Sequence, residues 1–441
     1  MYLPESVLLC INMLEQAGFE AYAVGGCVRD ALLGLTPHDY DLCTNATPAE
    51  TARLFSHCTL VRSGEKHGTI GVVLEKQVIE ITTFRTEGGY QDCRRPDWVR
   101  FVSHVEEDLA RRDFTVNAMA YSPTRGYRDP FGGQADLNAK RLRAVGDPTR
   151  RFSEDALRIL RGVRFSVRYG LTPEDATLQA MYRLAPRMEQ LAKERIFEEL
   201  CKLLPLVSAR ELKAFSPVLA QVLPPLAPCV DFCQHSPHHR YDVYTHTAYV
   251  VEAVPPRLAL RWAALLHDCG KPGSFQPDEN GRGHFKGHAH LSGQLADDLL
   301  LQLKAPTALR EQVVFLVRHH MDLLEPDKYL LRRKLGKYGE ALLTDLLDLQ
   351  QADFQSKGTK EETSLFQDIR LLISEILSEE ACLTIKDLAV NGKDLCALGF
   401  APGPQLGCCL AHLLELVQND RLPNRKEALL AAAAHFKEEH Q

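Results

Sequence analysis

The rhythm of apolar and polar positions changes near residue 150. Before it, short apolar runs at 21–24, 40–43, 69–74 and 78–83 alternate with stretches of helical spacing, the pattern of an α/β domain. Beyond it such runs vanish. Residues 152–169 and 191–204 repeat apolar side chains three and four apart, which predicts amphipathic helices. Pro205 and the proline-rich stretch 216–228 then read as a boundary. A histidine-rich block with long helical patterns spans His235 to Asp353, and a last helical segment follows from about Leu383. The expected organisation is multidomain, α/β plus all-α: a head over 1–148, a helical neck over 149–215, a helical domain over 225–360 and a helical tail over 361–441.

Composition narrows the class. At 441 residues, 45% hydrophobic and 25% charged, the chain can bury several cores and has no disordered character. Its first twenty residues include Glu5, Glu15 and Glu20 and no Lys or Arg, unlike a secretory signal. No stretch approaches a membrane span. Thirteen cysteines form no CxxC pair, so reduced thiols and a cytoplasmic location are expected. The net charge of −6 excludes a uniformly basic surface, yet 85–170 holds 17 Lys and Arg against 12 Asp and Glu. A confined basic tract suits a polyanion held in one groove.

Candidate chemistry begins at Gly25-Gly26, between a strand-like run and a helical one and followed by Arg29. Such a turn can cradle phosphate. Asp39 and Asp41 lie in the strand-like stretch 39–43, where alternation places both carboxylates on one face. Two carboxylates held that close repel unless a cation sits between them, so Mg²⁺ aligning a hydroxyl with a nucleoside triphosphate is expected. Further on, Asp155 and Arg158 are three apart on a predicted helix and should share a face. A carboxylate accepts from the amino group of cytosine or adenine, and a guanidinium donates to the neighbouring ring acceptors. Uracil and guanine present a carbonyl instead, so this pair would admit C and A without a template.

These residues belong to longer motifs: Gly25-Gly26-x-Val28-Arg29-Asp30 with Pro37-x-Asp39-x-Asp41, then Arg111-Arg112-Asp113-Phe114-Thr115-x-Asn117-Ala118, Asp129-Pro130-Phe131-Gly132-Gly133, Glu154-Asp155-Ala156-Leu157-Arg158 and Glu194-Arg195-Ile196-x-x-Glu199. In this order they resemble the bacterial-type (class II) tRNA nucleotidyltransferase and poly(A) polymerase family. The resemblance implies a polymerase β-like nucleotidyltransferase head and a helical neck. It implies addition of C and A to the 3′ end of tRNA from CTP and ATP, with an A-adding enzyme or a poly(A) polymerase as the alternative. Gly26, Arg29, Arg112, Asp155, Arg158, Arg161 and Arg164 become nucleotide-binding candidates, and Arg161, Arg164 and Arg168 could line the triphosphate or the RNA backbone. Glu80 and Asp113 stand as alternative third metal carboxylates. The Gly- and Pro-punctuated stretch 85–96 reads as a flexible loop and resembles the one that relatives need for the terminal A.

A second constellation is His246, His267-Asp268 and Asp353, with His238, His239, His288, His319 and His320 as further donors. Imidazoles and carboxylates together suit a divalent transition metal that activates water for phosphoester attack. The stretch from Ala263 to Pro272 resembles the HD phosphohydrolase superfamily, which implies an HD-type domain whose metal is held by His246, His267, Asp268 and Asp353. The motif leaves open whether it hydrolyses phosphate esters, cyclic phosphodiesters or nothing. The tail, around Asn391-Gly392 and Pro402-Gly403-Pro404, resembles the C-terminal region of HD-fused members, where a helix start could meet an RNA phosphate.

Overall fold

The structure, a computed structural model, describes residues 1–75, 77–88, 98–236, 240–357, 364–379 and 381–439. The chain divides into two compact units, Met1–Ala227 with Gln302–Ala305, and Pro228–Leu301 with Pro306–Gln441. The division falls at the end of the proline-rich stretch. That stretch is not a bare linker: Ser216–Val222 is helical with Pro217 in its first turn, where a missing N–H costs nothing, and Leu219, Leu223 and Leu226 are buried.

The first unit opens with helix α1 (Glu5–Gln16), strand β1 (Ala21–Val24), helix α2 (Gly26–Leu32) and strand β2 (Asp41–Thr44). Helix α3 (Pro48–Leu54) and strands β3 (Thr59–Val61), β4 (Thr69–Leu74) and β5 (Gln77–Thr83) follow, then β6 (Arg85–Gly88), β7 (Trp98–Phe101), α4 (Val105–Ala110), β8 (Ala120–Ser122) and β9 (Gly126–Arg128). Seven strands form one sheet in the order β3-β4-β5-β2-β1-β8-β9. Its centre is apolar: all four residues of β1 are buried, as are Leu42 and Cys43 of β2. Two expectations need correction. The strand starts at Asp41, so Asp39 lies in the segment leading into it, and alternation along a strand does not relate the two. Residues 85–88 are not loop but pair antiparallel with β7, from Arg85↔Phe101 to Gly88↔Trp98; positions 89–96 of the expected loop lie outside the described residues.

Helices α5 (Gly133–Asn138), α6 (Pro148–Glu154), α7 (Leu157–Tyr169), α8 (Asp175–Leu184), α9 (Lys193–Leu203), α10 (Ala209–Ala214) and α11 (Ser216–Val222) complete the unit. The helix expected over 152–169 is in fact two, because Asp155 is extended at φ −144° and ψ 105°. Asp155 and Arg158 therefore do not share a helix face. Gly162 brings α7 against the head: a Cβ there would stand 3.0 Å from Phe114 and 3.2 Å from Met181.

Among its described residues, the regular structure of the second unit is helical apart from one pair of two-residue strands. It comprises α12 (Val243–Ala253), α13 (Leu258–Leu266), α14 (Lys271–Ser274), α15 (His288–Gln302), α16 (Thr307–His319), α17 (Lys328–Tyr338), α18 (Glu340–Gln355), α19 (Ser364–Ser378), α20 (Gly392–Ala397), α21 (Pro404–Gln418) and α22 (Lys426–Glu439). Helix α13 is buried almost all round, with Trp262 fully enclosed. It packs on α12, α16 and α18. The tail has its own core of Leu395, Leu413 and Leu429. The helix start at Asn391 is a capping box with Asp394, an ordinary stop for exposed amides. No helix among the described residues is long and apolar enough to cross a membrane.

Candidate functional site

A cavity of about 570 Å³ in the first unit is lined by Gly25, Gly26, Arg29, Asp39, Asp41, Arg112, Asp155, Arg158, Arg161, Arg164 and Arg195, among others. Of the head and neck candidates expected from the sequence, all but Glu80 line this cavity. Gly25 makes the turn at its rim. Its φ of +77° disfavours any side chain, and a Cβ would fall 2.7 Å from Arg112 Nη1. Beside the turn, Arg112 Nη2 reaches the buried Asp108 at 3.4 Å, while its Nε is buried without a hydrogen-bond partner.

The carboxylates converge by sheet register. Parallel pairing of β2 with β5 sets Asp41 opposite Glu80, so Glu80 joins Asp39 and Asp41. The cleft walls first, then Glu80 and Asp39, push the Asp41 carboxyl above its usual range, against the pull of Arg112. Crowded carboxylates of this kind fit a divalent cation with oxygen ligands. Asp113 is differently placed. It is buried and bonded to Asn117 Nδ2 at 3.0 Å and to Arg161 at 2.7 Å. Burial would raise it, but Arg161 and Asn117 hold it well below the ordinary carboxylate range.

Two of the expected arginines are buried and paired within the fold. Arg29 is buried, donates to Asn117 Oδ1 at 2.5 Å and to Asp30 Oδ1 at 2.6 Å, and lies over the Tyr169 ring. Arg164 is buried with Nε 2.6 Å from Glu199 Oε2. Arg161 is about one third exposed beside Asp113.

Asp155 and Arg158, the pair expected to read the base, are held in two independent halves. Both oxygens of Asp155 face the fork of Arg195, at 2.8 and 3.3 Å, and Oδ1 also accepts from Leu157 N at 3.0 Å. Arg158 donates to Glu154 Oε2 at 2.8 Å and to the carbonyls of Arg151 and Arg111. The position of Arg195 in its motif is the sequence signal for this role; its pairing with Asp155 was not expected.

In the second unit His246 on α12, His267 and Asp268 at the end of α13 and Asp353 on α18 meet as a buried cluster. His267 and Asp268 sit in the turn after α13 rather than within a helix. His246 Nε2 is 2.9 Å from Asp353 Oδ1, and His267 Nε2 is 3.2 Å from Asp268 Oδ2. His267 Nδ1 faces Ala264 O at 2.8 Å, which fixes the tautomer and leaves Nε2 to coordinate. That Nε2 is buried without a hydrogen-bond partner. Burial disfavours both charges, yet Asp268 holds His267 above its usual range, while His267 and Lys271 keep Asp268 well below its own. His288 and His320 join the cluster through Asp268. Burial, aided by His267, lowers His320 to about 4. His319 points elsewhere, half exposed and 2.6 Å from Asp322, and His238 and His239 lie outside the described residues.

Comparison with known proteins agrees with the motifs. Family models match over 21–143 (poly A polymerase head domain), 170–211 (RNA- and SrmB-binding site of polymerase A) and 286–433 (tRNA nucleotidyltransferase domain 2). The last match runs across the expected boundary at 360. The CCA-adding enzyme of Limosilactobacillus fermentum is 49% identical over 97% of this chain and 95% of that protein. That of Latilactobacillus sakei is 35% identical over 96% of both. Among solved structures, the Bacillus stearothermophilus CCA-adding enzyme in complex with CTP superposes with a TM-score of 0.75 at 28% identity, covering 100% of this chain and 99% of that one. With matches that run the length of both proteins, the chain belongs to the CCA-adding enzymes, the tRNA nucleotidyltransferases.

Proposed function

We propose that the cavity of the first unit is where C and A from CTP and ATP are joined, without a template, to the 3′ end of tRNA. The observation that carries this reading is the meeting of Asp39, Asp41, Arg112, Asp155 and Arg158 around one space. Asp39 and Asp41, with Glu80 in register, would hold Mg²⁺. Bound there, the ion supplies charge stabilisation for attack of the tRNA 3′ hydroxyl on the α-phosphate. Arg112, with an unanswered Nε, meets the triphosphate, and pyrophosphate leaves against it. Buried Arg29 braces Asn117 and the turn. Asp155 accepts from the amino group of C or A while Arg158 donates to the ring acceptors. The experiment is incubation with tRNAs ending before CCA, after C and after CC, each with labelled CTP or ATP. CTP should enter the first two and ATP the third. Addition of A alone would make this an A-adding specialist.

We further propose that the His/Asp cluster of the second unit is an HD-type metal centre. The orphaned, fully buried Nε2 of His267 supports this, because such an atom gains a partner when a divalent transition metal is bound. His246, His267, Asp268 and Asp353 would hold the ion, which supplies activated water for phosphoester hydrolysis. Metal content of the chain, with hydrolysis of a phosphomonoester and of a 2′,3′-cyclic nucleotide, tests it.

A further inference from the structure

We propose that Asp108 is a positioning residue for nucleotide addition: its buried carboxylate directs Arg112 towards the triphosphate without touching the nucleotide itself. The inference rests on the reading of Arg112 as a triphosphate ligand and deepens it.

A carboxylate taken out of water is costly unless charged partners answer it. Asp108 is fully enclosed and does not line the cavity. It sits on α4, whose Val105 and Leu109 are fixed in the core with Tyr22, Val24 and Phe84. Spacing along the chain sends its two oxygens to the arginines three and four residues on. Oδ1 accepts from Arg111 Nε at 3.0 Å and from Arg85 N at 3.3 Å, and Oδ2 faces Arg112 Nη2 at 3.4 Å. Burial would raise the carboxyl, but Arg111 and Arg112 hold it below its ordinary range, so it stands ionised.

The two neighbouring arginines are then used differently. Arg111 is answered twice, by Asp108 Oδ1 at 2.9 Å and by Glu87 Oε1 at 2.7 Å. Arg112, among the described residues, is in an ion pair with Asp108 alone and at longer range. Its Nε is buried without a hydrogen-bond partner, and its Nη1 stands at the Gly25 turn, where a Cβ would fall 2.7 Å away. Within this network Arg85, Arg111 and Arg112 face Glu87 and Asp108. One positive charge is left over, and it falls to Arg112 at the cavity wall. The planar guanidinium lets one end meet Asp108 while the other meets a phosphate. A carboxylate that was merely nearby would do the reverse and repel the triphosphate.

These effects have opposite signs, and Asp108→Asn separates them. Donors from Arg85 and Arg111 converge on Oδ1, so the amide oxygen takes that place and the amide N–H groups turn towards Arg112 Nη2, where two donors cannot bond. The probe is inorganic pyrophosphate, as an inhibitor of C addition by the full chain to a tRNA ending before CCA. Its inhibition constant and the KM for CTP should both rise about tenfold, the scale of one charge-assisted hydrogen bond, with the KM for tRNA unchanged. A lower inhibition constant, as expected from removing a repelling charge, or an unchanged one overturns the proposal. Arg112→Ala is run beside it. If inhibition survives that change, the reading of Arg112 as a triphosphate ligand fails; if Arg112→Ala weakens inhibition and a folded Asp108→Asn does not, the positioning role alone fails. In the Arg112→Ala background Asp108→Asn should add almost nothing, because the coupled partner is gone. A full further rise there marks a general disturbance of α4 and overturns the role. Thermal melting reports folding. Arg112→Lys carries the same test with the buried carboxylate intact: one ammonium drawn to Asp108 cannot also meet pyrophosphate, so inhibition should be as weak as in Arg112→Ala. Inhibition near the wild-type level in that variant overturns the proposal.

Discussion

Single residues decide chemistry here by what holds them. Asp39 and Asp41 are exposed in the cavity, and in the proposed mechanism they carry a cation that acts in the chemical step. Asp41→Ala should therefore lower nucleotide addition by about 10³-fold or more, the worth of several kcal/mol of charge stabilisation, with tRNA binding in a filter assay nearly unchanged. Addition at the wild-type rate would remove these aspartates from the mechanism. Base reading by Asp155, as proposed, depends on direction rather than charge. Arg195 fixes Asp155 through two nitrogens. Arg195→Lys keeps the charge and loses the planar fork, so the preference for CTP over UTP should fall about tenfold, the scale of one charge-assisted hydrogen bond. Asp155→Asn, run beside it, adds a donor and should admit some UTP or GTP. Selection that survives both changes would place base reading on other residues.

At the scale of elements, α7 is the part that organises the cavity, and it is pinned at three points: Arg161 to Asp113, Gly162 against Phe114, and Arg164 to Glu199 on α9. Removing one partner of a buried ion pair strands the other. Glu199→Ala should cost about 3–5 kcal/mol and lower the melting temperature of the first unit on the order of 10 °C, as read by calorimetry. The Asp113 contact adds a pH dependence. Because its folded carboxyl lies below the ordinary 3.8, its stabilisation is complete above that pH and is lost as pH falls below it. The stability gap between wild type and Asp113→Asn should then narrow as pH is taken from 5 towards 2 in denaturant titrations; a constant gap would mean that the Arg161 pair contributes nothing.

Much of this was legible in the sequence, and the failures have a common cause. Apolar spacing gave the strands β1, β4 and β5 and the largely helical character of the chain after 150, because burial sets that spacing directly; the two-residue strands at 172–173, 276–277 and 283–284 were too short to show. It ran α6 and α7 together because the break at Asp155 interrupts no apolar position: its carboxylate accepts from Leu157 N and from Arg195, forty residues away in sequence. It placed Asp39 in a strand because two aspartates around a tyrosine look alternating, while pairing with β5 begins only at Asp41. The histidines divide likewise. His267, His288 and His320 each turn Nδ1 to the carbonyl three residues earlier, a local device, but their convergence on Asp268 is tertiary. Adjacent His319 and His320 could not be told apart from the sequence.

The whole molecule, as proposed, joins two chemistries whose candidate ligands do not mix. Asp39, Asp41 and Glu80 come from the first unit and offer oxygen alone, which suits Mg²⁺. His246, His267, Asp268 and Asp353 come from the second and suit a softer transition metal. No ligand of either set lies in the other unit, so the sites should fail separately. His267→Ala with Asp268→Ala takes away two of the four proposed donors, leaving too few to hold an ion. The double variant should lose transition-metal content and any phosphoester hydrolysis while adding CCA to tRNA at close to the wild-type rate. Both are measured on one preparation, with circular dichroism to establish that the chain is folded. If addition collapses in a folded variant, the two units are coupled; if hydrolysis persists without these side chains, the cluster is not its source.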